Sequence, residues 1–129
     1  MMNLPKDTTT ILLVDDEINI LLALEFLLAQ AGYRVLTAQD GPTALQTVQE
    51  HRPDIAVLDV MMPGMNGFQL AEALRAQTEL LDLRVVFLTA RSQPEDRTQG
   101  YRSGGEVYLT KPFDNQELLT VIEEMIQYG

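Results

Sequence analysis

The sequence predicts an α/β fold in which a five-stranded parallel sheet is doubly wound, with five helices on its two faces. Three short runs, residues 11–14, 55–58 and 85–88, contain only apolar residues. Runs without in/out alternation are typical of strands that are covered on both faces, as in a parallel sheet. Longer helical patterns separate these runs, so strand and helix alternate along the chain. Right-handed crossovers then place helices on both faces of one sheet.

Local signals predict the other elements of the first half. Residues 33–37 are predicted to form the second strand, and the first three helices are predicted at residues 18–31, 42–51 and 67–77. Gly32 marks the end of the first helix, because glycine readily adopts the conformation that follows a helix. Pro42 begins the second helix, where a missing N–H costs nothing. Asn66 is a good N-cap for the third.

Two more helices and a fifth strand are predicted in the second half. Residues 92–103 begin with the Ser-x-x-Glu pattern of a capping box and predict a fourth helix. Residues 106–110 predict the fifth strand. The fifth helix starts at Asp114, where Glu117 can reach back to the cap and Phe113 can pack onto Leu118.

The composition describes one acidic domain. The chain has 129 residues, of which 46% are hydrophobic, and a formal net charge of −10. This length is typical of a single domain, which we place at residues 10–129 after an N-terminal tail at residues 1–9. The negative charge disfavours direct binding to nucleic acid.

Several classes of protein are excluded by what the sequence lacks. The chain has no cysteine, which excludes disulfides, thiol catalysis and cysteine metal sites. The first ten residues do not have the pattern of a signal peptide. The most apolar segment, residues 18–31, is too short to span a bilayer. We therefore expect a cytoplasmic protein that makes no membrane contact.

The single histidine, His51, has two interpretations. It could carry a phosphoryl group or bind a ligand. It also stands at the predicted end of a helix, beside Arg52 and before Pro53, where a cation interacts favourably with the helix dipole. We prefer this structural interpretation.

Polar side chains follow four of the predicted strands. Asp15 and Asp16 follow the first strand, Asp59 the third, Thr89 the fourth and Lys111 the fifth. Ligands of a parallel sheet gather outside the carboxyl ends of its strands, so we expect these side chains to lie at one edge. Each alone could be a helix cap or a solvated loop residue, but their joint placement predicts a site.

The three carboxylates predict a metal ion. At close range they repel one another, so either one is protonated or a cation neutralises them. Mg²⁺ is the best candidate, because proteins hold it with one or two carboxylates plus water and phosphate; Mn²⁺ is the alternative ion. Lys111 adds a positive charge for a phosphate and Thr89 a hydroxyl donor. These are the parts of a phosphoryl-transfer site.

Four segments resemble the receiver domains of bacterial two-component response regulators. They are ILLVDDE at residues 11–17, VLDVMMPGMNG at 57–67, LTAR at 88–91 and YLTKPF at 108–113. The second and fourth are highly specific, and the resemblance extends over about residues 10–127. It implies a flavodoxin-like sheet with strand order 2-1-3-4-5.

The resemblance implies roles for the acidic residues. Asp59 would be the phosphorylated residue. Asp16 would bind the metal directly and Asp15 mainly through water, with Asp59 and the backbone carbonyl of Met61 as further ligands.

The resemblance also implies roles around the phosphoryl group. Thr89, Ala90 and Lys111 would contact it, and Tyr108 would turn inward once Thr89 has moved, so that Thr89 and Tyr108 form the switch. Pro112 is a candidate cis-proline.

Two residues are predicted to tune the lifetime of the phosphorylated form. Met61 and Arg91 flank the expected phosphoryl position. Met61 has no amide or carboxylate to orient an attacking water, and its bulk can exclude one. Gly64 and Gly67 bracket the same loop and are interpreted both as turn residues near the phosphoryl site and as ordinary loop glycines before a helix.

The implied function is that of a signalling switch rather than an enzyme. A sensor histidine kinase or a phosphotransfer protein would donate a phosphoryl group from a phosphohistidine, and the domain would assist its own phosphorylation and dephosphorylation. The acyl phosphate would change the surface of the fourth helix, fifth strand and fifth helix. Residues 104–107, Gly-Gly-Glu-Val, replace the Gly-Ala-Asp-Asp that relatives commonly carry on this surface.

Two other functions are compatible with parts of the pattern. A haloacid-dehalogenase-like phosphatase would use Asp15 as its nucleophile, but its Asp-x-Asp motif is matched only by Asp15-x-Glu17 and no cap domain is present. A purely structural interaction domain would not need the acidic pair, the threonine and the lysine together. The sequence contains no recognisable effector segment, so the output would belong to a neighbouring effector domain or to a separate protein.

The first helix has apolar residues on two faces. We expect one face to pack on the core, namely Ile20, Leu24, Leu27, Leu28 and Ala31. A second stripe recurs at i, i+4, i+8 and i+11, namely Ile18, Leu22, Phe26 and Ala29. This stripe either packs within the domain, against the fifth helix or the N-terminal tail, or contacts another subunit or domain.

Overall fold

The fold is described from a computed structural model, in which residues 9–77, 83–89, 107–111 and 114–128 are described. These residues form five strands and four helices, in the order β1 (Thr10–Val14), α1 (Ile18–Gln30), β2 (Arg34–Ala38), α2 (Gly41–Glu50), β3 (Ile55–Asp59), α3 (Gly67–Arg75), β4 (Arg84–Thr89), β5 (Val107–Thr110) and α4 (Asn115–Tyr128). The helix predicted at residues 92–103 lies outside the described residues, so the last helix is labelled α4. Among the described helices, none is both long and apolar enough to cross a membrane.

The five strands form one parallel sheet in the order β2-β1-β3-β4-β5. The predicted strand order is therefore confirmed. β1 lies at the centre of the first half, where Leu12 pairs with Leu36 of β2 and with Ala56 of β3. At the far side, β4 pairs with β5 through Phe87 and Tyr108. This order brings the carboxyl ends of β1 and β3 side by side.

The apolar strands are buried on both faces, as predicted. In β1, Ile11 and Leu13 belong to the core layer under α1 and α4, whereas Leu12 and Val14 belong to the layer under α2 and α3. The same alternation continues in β3 and β4. Because both faces are covered by helices, the strands need apolar residues at every position, which explains the runs without alternation.

Capping interactions account for the starts of α2 and α3. The Asp40 carboxylate accepts a hydrogen bond from the Thr43 N–H at 2.8 Å, and interaction with the side chain and the N–H of Thr43 lowers the pKa of Asp40. Asn66 and Gln69 form a reciprocal capping box, with distances of 2.8 and 2.9 Å. Side-chain oxygens thus satisfy N–H groups that have no partner within the helix. Asn66 is confirmed as the predicted N-cap.

Other predicted helix ends agree with the structure to within two residues. Gly32 follows α1 with φ of 103°, the left-handed conformation expected after a helix. His51 is the C-terminal cap of α2, with its Nε2 4.0 Å from the Glu50 carboxylate. At the start of α4 the Glu117 carboxylate accepts from the Asp114 N–H at 3.0 Å, as predicted. The packing of Phe113 lies outside the described residues.

The amino edge of the sheet is joined by a small set of polar contacts. The buried Thr9 accepts a hydrogen bond from the Arg34 N–H at 3.0 Å through its carbonyl. Asp54 accepts from the Thr10 N–H at 2.8 Å through its carboxylate. Thr9 was assigned to the N-terminal tail from the sequence, but it already contributes to the folded domain.

Helix α1 shows which of its two apolar faces is the core face. Leu21, Leu24 and Leu28 are buried, and the predicted core residues Ile20, Leu27 and Ala31 are only partly buried. Leu21 was not predicted as a core residue, because the predicted core face of the helix is centred about one position away from the observed one. The second stripe is exposed, with Ile18, Leu22 and Phe26 46%, 54% and 68% accessible.

Candidate functional site

Three carboxylates meet at the carboxyl edge of the sheet. Asp15 and Asp16 directly follow β1, and Asp59 is the last residue of β3. One carboxylate oxygen from each lies within 4.8 Å of the others. Asp15 and Asp59 are buried and Asp16 is exposed. The predicted convergence of the three side chains is observed, and it places negative charge in a poorly solvated position.

Lys111 lies against two of these carboxylates. Its Nζ donates hydrogen bonds to Asp15 at 3.2 Å and to Asp59 at 3.4 Å. Its backbone N–H donates to the carbonyl of Thr89 at 2.7 Å, which anchors the residue at the end of β5. Burial lowers the pKa of Lys111, but the charges of Asp15 and Asp59 outweigh this effect and raise the pKa above its ordinary value. The ammonium group therefore stays charged.

Both oxygens of Asp15 are already engaged. One oxygen accepts from the Lys111 ammonium, and the other accepts from the Glu17 N–H at 2.9 Å. These bonds hold the carboxylate in one orientation just before α1 begins. Asp16, in contrast, is exposed to solvent.

Asp59 is electrostatically strained when it is ionised. Burial, followed by the negative charge of Asp15, raises the pKa of Asp59 to about 6. The Lys111 ammonium and the Met61 N–H partly offset this rise. One ammonium therefore does not fully compensate the neighbouring carboxylates. Additional positive charge at this edge would favour the ionised, nucleophilic form of Asp59.

The donor set fits a hard divalent cation. All three side-chain ligands are carboxylates, which Mg²⁺ prefers over nitrogen or sulfur ligands. The shortage of positive charge around Asp59 points to the same class of ion. Asp15, Asp16 and Asp59 are the residues of the described chain that could hold it.

The loop after Asp59 packs closely on the residue itself. A Cβ atom at Gly67 would lie 2.5 Å from the Asp59 carbonyl oxygen and 3.0 Å from the Val60 Cα. The Gly67 N–H also donates to the Val60 carbonyl at 3.1 Å. Gly64 has φ of 77°, so the predicted tight turn is present. Gly67 is thus the position at which α3 contacts the backbone of Asp59.

Thr89 and Tyr108 occupy neighbouring strands beside the acidic cluster. Thr89 ends β4 and is buried, and Tyr108 of β5 is half-buried. The Tyr108 ring lies 5.3 Å from Phe87 and 6.4 Å from Phe68 between centroids. Phe68 and Phe87 themselves make an edge-to-face contact at 4.8 Å. Phe68 and Phe87 were not predicted from the sequence as neighbours of Tyr108, because in the sequence they resemble ordinary core residues.

The structure describes only part of the predicted site. It brings together Asp15, Asp16, Asp59 and Lys111, and it places Thr89 next to Lys111 through a backbone hydrogen bond. Met61 follows in the loop, with its N–H 3.4 Å from an Asp59 oxygen and its side chain 59% exposed. The predicted roles of Ala90, Arg91 and Pro112 fall on residues outside the described ranges.

The family follows from the sequence and from the fold. The model of the response regulator receiver domain matches residues 11–123. The chain belongs to this family and is the receiver domain of a two-component response regulator. Receiver domains act as signalling switches.

Individual relatives agree with this assignment. The chain is 42% identical over 119 residues to the transcriptional regulatory protein YrkP of Bacillus subtilis, covering 92% of this chain and 50% of that protein. It is 38% identical over 117 residues to the phosphate regulon transcriptional regulatory protein PhoB of Escherichia coli, covering 91% of this chain and 51% of that protein. The chain thus spans about half the length of the curated relatives it matches.

A solved structure shows the same fold. The chemotaxis protein CheY4 of Vibrio cholerae superposes with a TM-score of 0.87 at 36% identity, covering 90% of this chain and 97% of that chain.

Gly67→Ala should destabilise the protein, although alanine normally favours a helix over glycine. The new Cβ would force apart α3 and the backbone of Asp59 and Val60. We expect a loss of about 1–3 kcal/mol in the free energy of unfolding, measured by urea denaturation. Gly41→Ala is the matched control at the start of α2, because the three atoms nearest to its Cβ all belong to the Met65 side chain rather than to backbone. Equal effects of the two substitutions would refute the assigned role of Gly67.

The raised pKa of Asp59 predicts a pH dependence of stability without metal. Asp59 binds its proton more tightly in the folded state, with a pKa of about 6, than in the unfolded chain, at about 3.9. Its contribution to stability is therefore complete below about pH 4 and is lost as the pH rises through about 6.

Asp59→Asn should consequently be more stable than the unsubstituted protein at pH 7.5. We expect its free energy of unfolding to be higher by about 1–2 kcal/mol, which is less than the full pKa shift implies because Lys111 loses one partner. The difference between the two proteins should be smaller at pH 5. Thermal or urea unfolding in a chelator measures this difference. Glu72→Gln, at an exposed carboxylate of α3, is the control. A difference that does not change between the two pH values would contradict the assigned charge strain.

Proposed function

We propose that this receiver domain accepts a phosphoryl group on Asp59, with a divalent cation held by the acidic cluster. The observation that carries the proposal is the position of Asp59. Asp59 ends a buried strand and contacts the Lys111 ammonium. One of its carboxylate oxygens lies within 4.8 Å of an oxygen of Asp15 and of an oxygen of Asp16. A nucleophile, a cation site and a positively charged donor are thus adjacent, as phosphoryl transfer requires.

We assign the metal ligands as Asp15, Asp16, Asp59 and the backbone carbonyl of Met61. Both Asp15 oxygens have other partners, which supports a contact through water, whereas the exposed Asp16 is suited to direct coordination. Mg²⁺ would shield the negative charge between phosphate and carboxylates, and Mn²⁺ has similar chemistry.

The proposed transfer step forms one bond to phosphorus and breaks another. A carboxylate oxygen of Asp59 attacks phosphorus, a new P–O bond forms, and the P–N bond to the histidine of the donor breaks with its electron pair remaining on the imidazole. Lys111 stabilises the charge on the phosphoryl oxygens, and the Thr89 hydroxyl and the Ala90 N–H donate to them. Attack by water on the phosphorus of the acyl phosphate later returns the free carboxylate and releases inorganic phosphate.

The switch would use the contact between β4 and β5. Thr89 shifts toward the phosphoryl group, and the Tyr108 ring turns into the space that it leaves. The rings of Phe87 and Phe68 form the apolar surface along which Tyr108 moves. The altered surface would comprise β5, α4 and the helix predicted at residues 92–103.

The partners follow from this chemistry. A sensor histidine kinase or a phosphotransfer protein is the donor. YrkP and PhoB are transcriptional regulatory proteins about twice the length of the region that matches. A neighbouring or separate effector is therefore the proposed recipient of the signal, and this domain itself does not contact nucleic acid.

The phosphatase alternative assigns the nucleophile to Asp15. Its two oxygens each accept a hydrogen bond, one from Lys111 and one from the Glu17 N–H, which reduces their nucleophilicity. The hydrogen bonds that Asp59 accepts from Lys111 and from the Met61 N–H are longer than those of Asp15, at 3.4 Å each. This difference favours Asp59.

Phosphorylation by a small-molecule donor tests the nucleophile. Acetyl phosphate or phosphoramidate with Mg²⁺ should add one phosphoryl group to the protein, measured by intact mass and by lability to hydroxylamine. Asp59→Asn should abolish the modification. Asp15→Asn should slow it but leave the modified residue unchanged. Modification of Asp59→Asn at the unsubstituted rate would show that the proposed function is wrong.

The lifetime of the phosphorylated form should depend on Met61. Its exposed side chain lies two residues after Asp59 and offers no group that orients an attacking water. Met61→Asn should accelerate loss of the phosphoryl group about 3- to 10-fold, followed by the decay of the phosphorylated mass. Met61→Leu, which keeps an apolar side chain, is the control and should decay at the original rate. Slower or unchanged decay in Met61→Asn would contradict this role.

A further inference from the structure

Met61 presents an exposed thioether beside the acidic cluster. Its side chain is 59% accessible. Its N–H donates to an Asp59 oxygen at 3.4 Å, and this contact holds the residue next to the carboxylate. Single exposed apolar residues are ordinary on protein surfaces. Met61 differs from them because its sulfur is chemically reactive and stands in the loop that directly follows the proposed nucleophile.

The other methionines of the described chain are less accessible. Met62 is 7% accessible and belongs to the core layer under α2 and α3. Met65 is partly buried, and its sulfur packs on α2, where a Cβ atom at Gly41 would lie 2.6 Å from it. Met125 is partly buried against the opposite core layer. An oxidant in solvent therefore meets the Met61 sulfur first, since oxidation follows exposure.

The loop that carries Met61 lines a groove. The groove has a volume of about 490 Å³ and is lined by residues 60–64, Asn66 and Phe68. Hydrogen peroxide and water are small compared with this volume. Both can therefore reach the side chain of Met61.

The side chains of this loop offer little that could orient a water molecule. Residues 60–64 carry apolar side chains or, at the glycine, none. The side-chain oxygen of Asn66 is engaged in capping α3, where it accepts from the Gln69 N–H at 2.8 Å. The Lys111 ammonium of the site donates hydrogen bonds but cannot accept one. A hydrogen-bond acceptor on the Met61 side chain would add a property that residues 60–64 lack.

Oxidation by a peroxide converts Met61 to such an acceptor. The thioether sulfur attacks one oxygen of hydrogen peroxide, an S–O bond forms and the O–O bond breaks. The departing hydroxide takes the proton from the transferred oxygen and leaves as water. The sulfur loses two electrons and the peroxide gains them. The product is a polar sulfoxide, which methionine sulfoxide reductases convert back to the thioether.

We propose that Met61 is a site of reversible oxidation by peroxides, and that its sulfoxide shortens the lifetime of phosphorylated Asp59. The second part rests on the proposed function, since it needs an acyl phosphate on Asp59. The sulfoxide oxygen accepts a hydrogen bond from a water molecule and directs it toward phosphorus, whereas the thioether excludes that water. The domain then loses its signal faster under oxidising conditions.

Peptide mass spectrometry after a short exposure to dilute hydrogen peroxide tests the site. In the folded protein, Met61 should gain an oxygen atom at least about fivefold faster than Met62, Met65 and Met125. Oxidation in guanidinium chloride is the control, because unfolding exposes all of these side chains and should remove the preference. Equal rates in the folded protein would overturn the proposal.

The decay of the phosphorylated mass tests the consequence. The protein is oxidised, freed of peroxide, phosphorylated with acetyl phosphate and Mg²⁺, and then freed of the donor. Oxidation should accelerate the decay about 3- to 10-fold in the unsubstituted chain and in Met125→Leu. It should not change the decay of Met61→Leu, which has no sulfur at this position. Treatment with methionine sulfoxide reductases should restore the original rate.

Met61→Gln tests the same effect without an oxidant. Glutamine carries its side-chain oxygen on the δ carbon, which corresponds to the sulfur of methionine, so it imitates the sulfoxide. Its phosphorylated form should decay about as fast as that of the oxidised chain, and peroxide should not accelerate it further. A decay as slow as that of the unoxidised chain would contradict the proposal.

Two further results of the decay measurement would overturn the proposal. They are an unchanged decay in the chain that carries the Met61 sulfoxide, and an equal acceleration in Met61→Leu. Normal phosphorylation of Asp59 with either result rejects this inference alone. Absence of phosphorylation before oxidation rejects the proposed function instead, and the peptide measurement still decides the site of oxidation. Thermal unfolding should be the same before and after oxidation, because Met61 is exposed; an oxidised chain that unfolds would also overturn the proposal.

Discussion

The parallel sheet, which ends β1 and β3 at the same edge, is the constraint on which the rest of the structure depends. Asp59 ends a strand that is buried on both faces, and it stands beside Asp15; among the described residues, the Lys111 ammonium contacts both carboxylates. A parallel sheet imposes this placement, because its strands all end at the same edge. The apolar core fixes the positions of β1 and β3, and this rigidity prevents the carboxylates from separating to relieve their repulsion. The charge strain is therefore a property of the whole fold.

The same rigidity connects the site to more distant parts of the domain. Gly67 brings α3 into contact with the Asp59 backbone. A displacement of the loop that follows Asp59 would therefore also displace the first turn of α3. Phe68, the next residue, packs on Phe87 and lies near Tyr108. The acidic cluster and the aromatic group are thus linked through one loop. A change of charge at Asp59 has a short physical route to β5.

Helix α1 connects the acidic site to the core of the domain. The helix starts directly after the acidic pair, and its buried face secures β1 to α4 through Leu24 and Leu28. Its outer face is apolar but makes no contribution to that core. A surface of this kind costs solubility unless it is sometimes covered. The net charge of −10 favours solubility and compensates for this cost.

The fold and the main residues of the site were largely determined by the sequence. Apolar runs without alternation predicted a sheet covered on both faces, because burial on two sides leaves no position for a polar residue. The polar residues that follow four of the strands then predicted which side chains would meet, since parallel topology determines that edge. The capping residues Asp114 and Asn66 were predicted from purely local hydrogen bonding. The tertiary structure alone decided the rest, because those features depend on contacts between segments far apart in sequence. They are the close approach of Gly67 to Asp59, the aromatic neighbours of Tyr108, the inclusion of Thr9 and the burial of Leu21. Periodicity shows that a helix has an apolar face, but only packing against the sheet decides which residues fill it and which remain exposed.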